Sequence, residues 1–328
     1  MSKTFIIAEI GINHCGKMSI AKKLIGIAKR CGADAVKFQT YKTEKLIKKN
    51  EPLMSYQKIN MHKNKISQYE MLKKCELSYN QHKLLFNECK KKKIEFISTP
   101  YDFESAMLLN KLGVKTIKIA STDTTNTPFI KKLFKLKKKT IISTGATSYE
   151  ELKKIINILS LKKKRIKIVI LHCISYYPTE IKELNLSVIK KYKKKFGIDI
   201  GFSDHSLSLS SGSIAVALGA SVIEKHITLN KNLDGPDHKA SLNPKELKIY
   251  IQNIRDSEKM IGDGNRRLLP KEKKVKNSMQ KSIYLNNDKK KNERILLNDL
   301  IIMRPGKSIK PYYINKIIGK KLKVNKRA

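Results

Sequence analysis

Eight short runs of β-branched and aliphatic residues, most of them followed by a longer stretch with helical spacing, dominate the first two thirds of this chain. The runs cover residues 5–10, 35–40, 95–99, 116–121, 140–144, 167–173, 199–203 and 221–228. Helical patterns lie between them at 19–31, 79–92, 103–112, 148–161 and 207–218, and a last one spans 244–261. Strands that are apolar almost without alternation are buried on both faces, as in a parallel sheet whose crossovers are helices. Eight such units in about 260 residues match the size of a (β/α)8 TIM barrel, an α/β fold. An open doubly wound sheet is the alternative, but it carries a glycine-rich first turn, and no GxGxxG is present here.

Two segments depart from the repeat. Residues 41–78, after the second run, are long, polar and rich in lysine, and include Tyr56, Tyr69 and Met71. An insertion at that end of a barrel strand usually forms part of the site. The last helical pattern stops at Gly262-Asp263-Gly264. The expected organisation is therefore a barrel over 1–264, a charged linker over 265–279, and a small β-rich module over 280–328. That module has runs at 282–285, 295–297 and 300–302.

The C-terminal ends of barrel strands build TIM-barrel active sites, and here those ends are polar. They carry Glu9, Asn13 and His14; Lys37 and Gln39; Ser98 and Thr99; Lys118 and Ser121; Ser143 and Thr144; His172 and Ser175; Ser203, Asp204 and His205; and Glu224 and His226. A lysine between aliphatic or aromatic strand residues, as in Val36-Lys37-Phe38 and Ile117-Lys118-Ile119, needs an anionic partner if it points into the barrel. Two such lysines with neighbouring hydroxyls suit a phosphate and a carboxylate. His205 and His226 close the seventh and eighth strands, next to each other in the ring. With Glu9 across the seam they make a candidate divalent-metal site, and Mn2+, Mg2+, Fe2+ and Zn2+ all fit that ligand chemistry. His172 reads as structural or as a support behind the site residues, and His14, His62 and His82 receive no ligand role. Asp237 lies in the loop after the eighth strand, where it could hold a sugar hydroxyl.

The net charge of +42 points towards nucleic acid or anionic membranes. Of the 70 basic residues only 8 are arginine, so 70 − 8 leaves 62 lysines, and specific phosphate and base recognition leans on arginine forks. Runs such as Lys90-Lys91-Lys92-Lys93, Lys137-Lys138-Lys139, Lys162-Lys163-Lys164 and Lys193-Lys194-Lys195 sit where helical patterns end, and helix C-termini favour cations. The expectation is no specific nucleic acid partner. A polyanion-binding barrel is the alternative from a different class, and salt-dependent binding to DNA or heparin would be its signature. No apolar run approaches the ~20 residues of a membrane span. The five cysteines are scattered without a CxxC pair, and a cytoplasmic location with reduced thiols is expected.

Ten consecutive motifs carry a resemblance over nearly the whole chain. They are Glu9-Ile10-Gly11-Ile12-Asn13-His14, Val36-Lys37-Phe38-Gln39-Thr40, Ile97-Ser98-Thr99-Pro100, Ile142-Ser143-Thr144-Gly145, Leu171-His172-Cys173, Phe202-Ser203-Asp204-His205, Glu224-Lys225-His226-Ile227-Thr228 and Gly235-Pro236-Asp237-His238-Lys239-Ala240-Ser241, followed by Met303-Arg304-Pro305-Gly306 and Ile318-Gly319-Lys320. Each is weak alone, but in this order they resemble the N-acetylneuraminate (sialic acid) synthase family, which includes legionaminate and pseudaminate synthases. The last two resemble that family's C-terminal antifreeze-like (SAF) domain, here shortened and ending at Ala328.

The resemblance implies a metal-dependent condensation of phosphoenolpyruvate with an N-acylated amino-sugar aldehyde. The acceptor would be N-acetylmannosamine or a 2,4-diacetamido relative, the products a nonulosonic acid and phosphate, and the type N-acetylneuraminate synthase; legionaminate and pseudaminate synthases are the alternatives. A 3-deoxy-octulosonate-type synthase shares the donor, but the antifreeze-like tail argues against it. By the same resemblance Lys37 and Lys118, with Ser143 and Ser203, hold the donor, and Thr99 and Ser175 stand beside them. Glu9 orients or deprotonates water. His205 and His226 bind the metal, with Mn2+ first in line and Mg2+ or another divalent ion as alternatives. Gln39, Ser121, Asp123, Tyr177 and Asp237 match sugar-side positions. Arg304 matches an arginine that reaches the partner's barrel and contacts the acyl group, which implies a domain-swapped homodimer. Asp123 replaces a common glutamate, and Ser175 a common asparagine.

Overall fold

The computed structural model describes residues 3–61, 66–163 and 165–327. His62, Lys164 of one lysine run, and Ala328 lie outside the described residues. Eight parallel strands close into a barrel in chain order: β1 (Phe5–Gly11), β2 (Ala35–Thr40), β3 (Glu95–Pro100), β4 (Thr116–Ile119), β5 (Lys139–Ser143), β6 (Ile168–Cys173), β7 (Asp199–Asp204) and β8 (Val222–His226). β1 pairs with β2 on one side and with β8 on the other, which closes the ring. The eight expected runs all appear as strands. The eighth stops at His226 because Ile227 leaves the ladder to bridge Leu242.

The apolar runs follow from burial on two sides. Ile7, Ala35, Ile97, Ile141, Val169, Leu171 and Val222 pack against one another inside the barrel. Alternate residues such as Ile6, Val36, Phe38, Ile170 and Phe202 face the surrounding helices in the main core. Each fully buried side chain of this size contributes roughly 1.5–3 kcal/mol. The helix Pro244–Ile261 has its expected bounds because Asn243 caps it, accepting from the Glu246 N–H, while the Glu246 carboxylate accepts from the Asn243 N–H. Lys90 and Lys91 close the helix Tyr79–Lys91, and Lys193, Lys194 and Lys195 sit in the last turn of Ser187–Phe196, where cations complement the helix dipole.

The helix expected from residue 207 begins at Ser211. Serines upstream bond locally instead: the Ser206 N–H donates to Asp204 Oδ1 at 2.9 Å and the Ser208 N–H to Ser206 Oγ at 3.3 Å. Such side-chain bonds compete with the helical ladder. The 41–78 insertion contains short helices at Thr43–Leu46, Ser55–Asn60 and Gln68–Cys75. Its own apolar cluster joins Ile12 to Tyr41, Leu53, Met61, Met71, Leu72 and Cys75. The insertion is tied to the loop after β8, where Asn60 Nδ2 donates to the Pro236 carbonyl at 2.6 Å and Lys239 Nζ to the Ile59 carbonyl at 3.0 Å.

The chain divides into two compact units, Met1–Asp263 and Gly264–Ala328. The second contains a helix, Pro270–Met279, within the segment expected as a linker. Its strands β9 (Ser282–Leu285) and β10 (Leu300–Met303) pair antiparallel. Residues 295–297, expected as a strand, are not one. Leu297–Asp299 forms a 3-10 turn whose Asp299 carboxylate accepts from the Leu296 N–H at 2.7 Å. Among the described residues no helix is long and apolar enough to cross a membrane.

Candidate active site

Above the aliphatic layer inside the barrel, the same inward-facing register turns ionic. Glu9 on β1 lies beside Lys37 on β2 and His226 on β8, and Ser203 on β7 lies beside Glu224 on β8. Lys37 Nζ is 3.0 Å from Glu9 Oε2 and 3.7 Å from Glu224 Oε2, and donates to Thr99 Oγ1 at 3.2 Å. Lys118 Nζ donates to Ser143 Oγ at 2.5 Å and to the Ile119 carbonyl at 3.0 Å. Ser203 Oγ donates to Glu224 Oε1 at 2.9 Å. All of these side chains are buried, so each charge depends on its partners.

Two glycines make room for the cluster. Gly11 adopts φ +52° at a register shift between β1 and β2, and a Cβ there would stand 3.0 Å from Glu9 Oε1. A Cβ on Gly145 would stand 2.0 Å from Ser175 Oγ and 2.9 Å from Ser121 Oγ. The Gly145 N–H instead donates to Ser121 Oγ at 3.0 Å.

The two glutamates are driven in opposite directions. Burial pushes the Glu9 carboxyl well above the usual range, assisted by the Glu224 charge and opposed by Lys37. Burial acts on Glu224 as well, but Lys118, Lys37 and the Ser203 hydroxyl outweigh it and hold that carboxylate low. Burial opposes the Lys37 ammonium, yet Glu224 and Glu9 outweigh it and raise its pKa. For Lys118 burial prevails and the pKa is lowered. Two carboxylates separated in this way suit different proton roles. Burial also lifts Asp237 to about 6, against the pull of Lys37.

The imidazoles are neutral. Burial lowers His205 to about 4 and His226 well below its ordinary value, the latter helped by His205 and Lys37. His205 Nδ1 donates to the Ile174 carbonyl at 2.6 Å, which leaves Nε2 with its lone pair; the Tyr177 hydroxyl lies 3.3 Å from it. The His205 and His226 ring centroids are 5.7 Å apart, and buried His226 Nδ1 has no hydrogen-bond partner among the described residues. A neutral imidazole anchored through one nitrogen is the form that ligates metals. Among the described residues no group of three or more His, Cys, Asp or Glu side chains surrounds one point. A cation held by this pair would have to take its remaining ligands from water or substrate oxygens.

A cavity of about 390 Å3 opens on this cluster. It is lined by Glu9, Lys37, Gln39, Thr99, Lys118, Ser121, Ser143, Ser175, Tyr177, Ser203, His205, His226 and Asp237, so most of the residues picked out in the sequence converge there. Two are elsewhere. Asp123 is not among the lining residues, and its Oδ1 accepts from Asn126 Nδ2 at 3.0 Å in the turn before the helix Thr127–Phe134. Arg304 belongs to the second unit. His172 is structural, bonded to the Leu184 carbonyl at 2.8 Å and stacked on Phe202. Glu224 has no role in the expected site, although its two-residue spacing from His226 on β8 places both on the inner face. Tyr56 has none either; its ring stacks on Tyr177 with centroids 5.2 Å apart.

Residues 24–266 match the NeuB family. Over 321 residues the chain is 44% identical to the N,N'-diacetyllegionaminic acid synthase of Campylobacter jejuni subsp. jejuni, covering 98% of this chain and 96% of that one. It is 41% identical over 327 residues to the protein of the same name from Legionella pneumophila subsp. pneumophila, covering 98% and 91%. Among solved structures it is similar to the N-acetylneuraminic acid (sialic acid) synthetase of Leptospira borgpetersenii serovar Hardjo-bovis in complex with citrate. The TM-score is 0.70 at 32% identity, covering 83% of this chain and 90% of that one.

Proposed function

The chain belongs to the NeuB family, and from that membership we propose that it is a C–C bond-forming enzyme condensing phosphoenolpyruvate with an N-acylated amino-sugar aldehyde. The products are a nonulosonic acid and inorganic phosphate. The observation that carries this reading is the convergence of buried Lys37 and Lys118 with paired glutamates and two neutral imidazoles on one cavity.

In this reading Lys37 and Lys118, with the Thr99, Ser143 and Ser203 hydroxyls, bind the phosphate and carboxylate of the donor. The electron pair of the donor's enol double bond forms the new C–C bond at the aldehyde carbon, and the carbonyl π pair moves to the aldehyde oxygen, which ends as a hydroxyl with a proton from the water that adds next. Water adds to the resulting oxocarbenium carbon, Glu9 accepts its proton, and the C–O bond to phosphate breaks. The raised carboxyl of Glu9 makes it the stronger base of the two once it is ionised, while Glu224 stays ionised and steadies the lysines. A divalent cation, Mn2+ first and Mg2+ or another divalent ion as alternatives, would be held by His205 and His226 and supply Lewis-acid polarisation of the aldehyde.

Gln39, Ser121, Tyr177 and Asp237 are assigned to the sugar. The acceptor is N-acetylmannosamine or a 2,4-diacetamido relative, and the two relatives named above favour the second. Arg304 of an antifreeze-like second unit is assigned to the acyl group across a domain-swapped homodimer, in a cytoplasmic enzyme. The deciding experiment supplies purified protein with Mn2+, phosphoenolpyruvate and a panel of amino sugars. Phosphate and a 2-keto sugar acid should appear in equal amounts. No release with any 2-acetamido or 2,4-diacetamido hexose would overturn the reading.

A further inference from the structure

The charged residues of the cavity are unevenly distributed. Among the described residues, its only lysines or arginines are Lys37 and Lys118, both on barrel strands. The 41–78 insertion contributes Leu46, Ile47, Met54, Tyr56 and Leu72 to the lining, with two glutamines and no ionic side chain. This is not for want of lysines, because all seven described lysines of the insertion are exposed and face away. Some are held outwards by ion pairs: Lys73 with Glu44 at 2.7 Å, Lys42 with Glu76 at 3.1 Å, and Lys45 with Glu104. On the insertion side of the cavity, even this strongly basic chain presents a wall of apolar side chains and two glutamines, with no cation among the described residues.

The wall is fixed in place. Leu72 is buried in the insertion's own cluster. Tyr56 stacks on Tyr177, whose ring centroid lies 4.2 Å from that of His205. Asn60 ties the same short helix to the loop that carries Asp237.

We propose that Met54, Tyr56 and Leu72, with Leu46 and Ile47, are the residues that select the acceptor. They admit a sugar whose distal part is uncharged and carries methyl-bearing substituents, and they reject one that ends in a phosphate. This rests on the condensation reading, because it assumes that the donor occupies Lys37 and Lys118 and leaves the insertion side to the acceptor. The physical reason is desolvation: a dianion placed against Leu46, Met54 and Leu72 loses water and gains no cation from those side chains, whereas an acetamido methyl gains apolar contact. Discrimination thus comes from what the wall withholds as well as from what it offers.

The test uses the full chain and three sugars: N-acetylmannosamine, its 6-phosphate, and a hexose bearing two acetamido groups. Calorimetry measures binding of each sugar alone, and phosphate release with saturating phosphoenolpyruvate measures kcat/KM. The 6-phosphate is expected to bind and turn over less well than the diacetamido sugar by on the order of tenfold or more. Met54→Lys, at a half-exposed position that folding tolerates (51% exposed), should move that ratio towards the phosphate sugar. Tyr56→Ala should weaken the diacetamido sugar without changing the KM of phosphoenolpyruvate. Equal or tighter binding of the 6-phosphate by the parent protein, a ratio unmoved by Met54→Lys, or no binding of any sugar would overturn the proposal. The expected binding order without phosphate release from any sugar would uphold the wall and overturn the condensation reading instead.

Discussion

Asp204 and Lys225 form an ion pair of 3.0 Å with neither side chain exposed, on the outer face of the strands that carry His205 and His226. They are register partners on β7 and β8. Asp204 also accepts from the Ser211 hydroxyl at 2.5 Å and the Tyr250 hydroxyl at 2.9 Å, while Lys225 donates to the Ser206 carbonyl. The pair therefore lies behind the wall of the site and outside its chemistry. A buried pair of this kind is weak evidence of net stabilisation, but breaking it leaves one charge uncompensated.

Either Asp204→Asn or Lys225→Met alone should cost about 3–5 kcal/mol, and the double variant less than the two singles combined. Urea unfolding midpoints at unchanged m values provide the check. Strictly additive losses would show that the two side chains act independently.

Lys37→Ala should reduce kcat/KM for phosphoenolpyruvate by about 10²–10³-fold or more, the usual cost of removing one donor from an anion site. The same substitution removes the cation that opposes the rise of the Glu9 carboxyl, so the acid limb of the pH–rate profile should also move to higher pH. Steady-state phosphate release across pH measures both effects. Unaltered kinetics would remove Lys37 from the donor site.

Chelator treatment should abolish phosphate release, and added Mn2+ should restore it. His226→Ala should weaken Mn2+ binding, read from the free-ion resonance in a titration, by about 100-fold or more, since even the partners of a metal ligand are typically worth 10–100-fold. Mn2+ affinity that survives this change would place the cation elsewhere.

Asp237 gives a pH dependence of defined sign. Burial raises its folded pKa to about 6, so its favourable contribution to folding is fully present below the unfolded value near 3.9 and is lost as pH rises through 6. Asp237→Asn should therefore stabilise the protein by on the order of 2 kcal/mol at pH 7. Because the ionised form is the stronger acceptor for a sugar hydroxyl, the sugar KM should rise as pH falls below 6 and lose that dependence in the variant. Thermal unfolding and sugar titrations at pH 5 and 7 separate the two effects.

Arg304→Ala should raise the KM for the sugar and leave that for phosphoenolpyruvate unchanged, with lost acyl recognition as the cause. Measuring both constants in one preparation decides it. An unchanged sugar KM would show that the second unit does not reach the site.

The strands were legible because a parallel strand buried on two faces has no alternative periodicity. Residues 116–119 and 168–173 read as apolar runs whatever surrounds them. Lys37 and Lys118 were legible as chemistry because a lysine flanked by aliphatic and aromatic strand residues is costly as structure. Asp204 and Glu224 were visible as polar strand ends, and alternation alone assigns Asp204 to the opposite face from Ser203 and His205 and Glu224 to the same face as His226. What pattern could not supply was the insertion's wall. Which side of the helix Ser55–Asn60 meets the cavity depends on contacts such as Asn60 to Pro236, 176 residues apart, and no local signal encodes that. Residues 295–297 failed for the opposite reason, because an aspartate two positions on captured the backbone that a strand would have used.

The seam between β1 and β8 has a consequence for how the chain is made. Phe5 pairs with Val222 and Glu9 with His226, so the first strand of the ring to be synthesised waits for the last. At ~5–20 residues per second that wait is roughly ten to forty seconds. Throughout it Phe5-Ile6-Ile7-Ala8 presents an unpaired apolar edge, the kind of segment that associates with other chains. The two halves of the candidate site, Glu9 at one end of synthesis and His226 near the other, meet only when that edge is sealed. Slower synthesis lengthens that exposure, so association through this edge is expected to rise as translation slows.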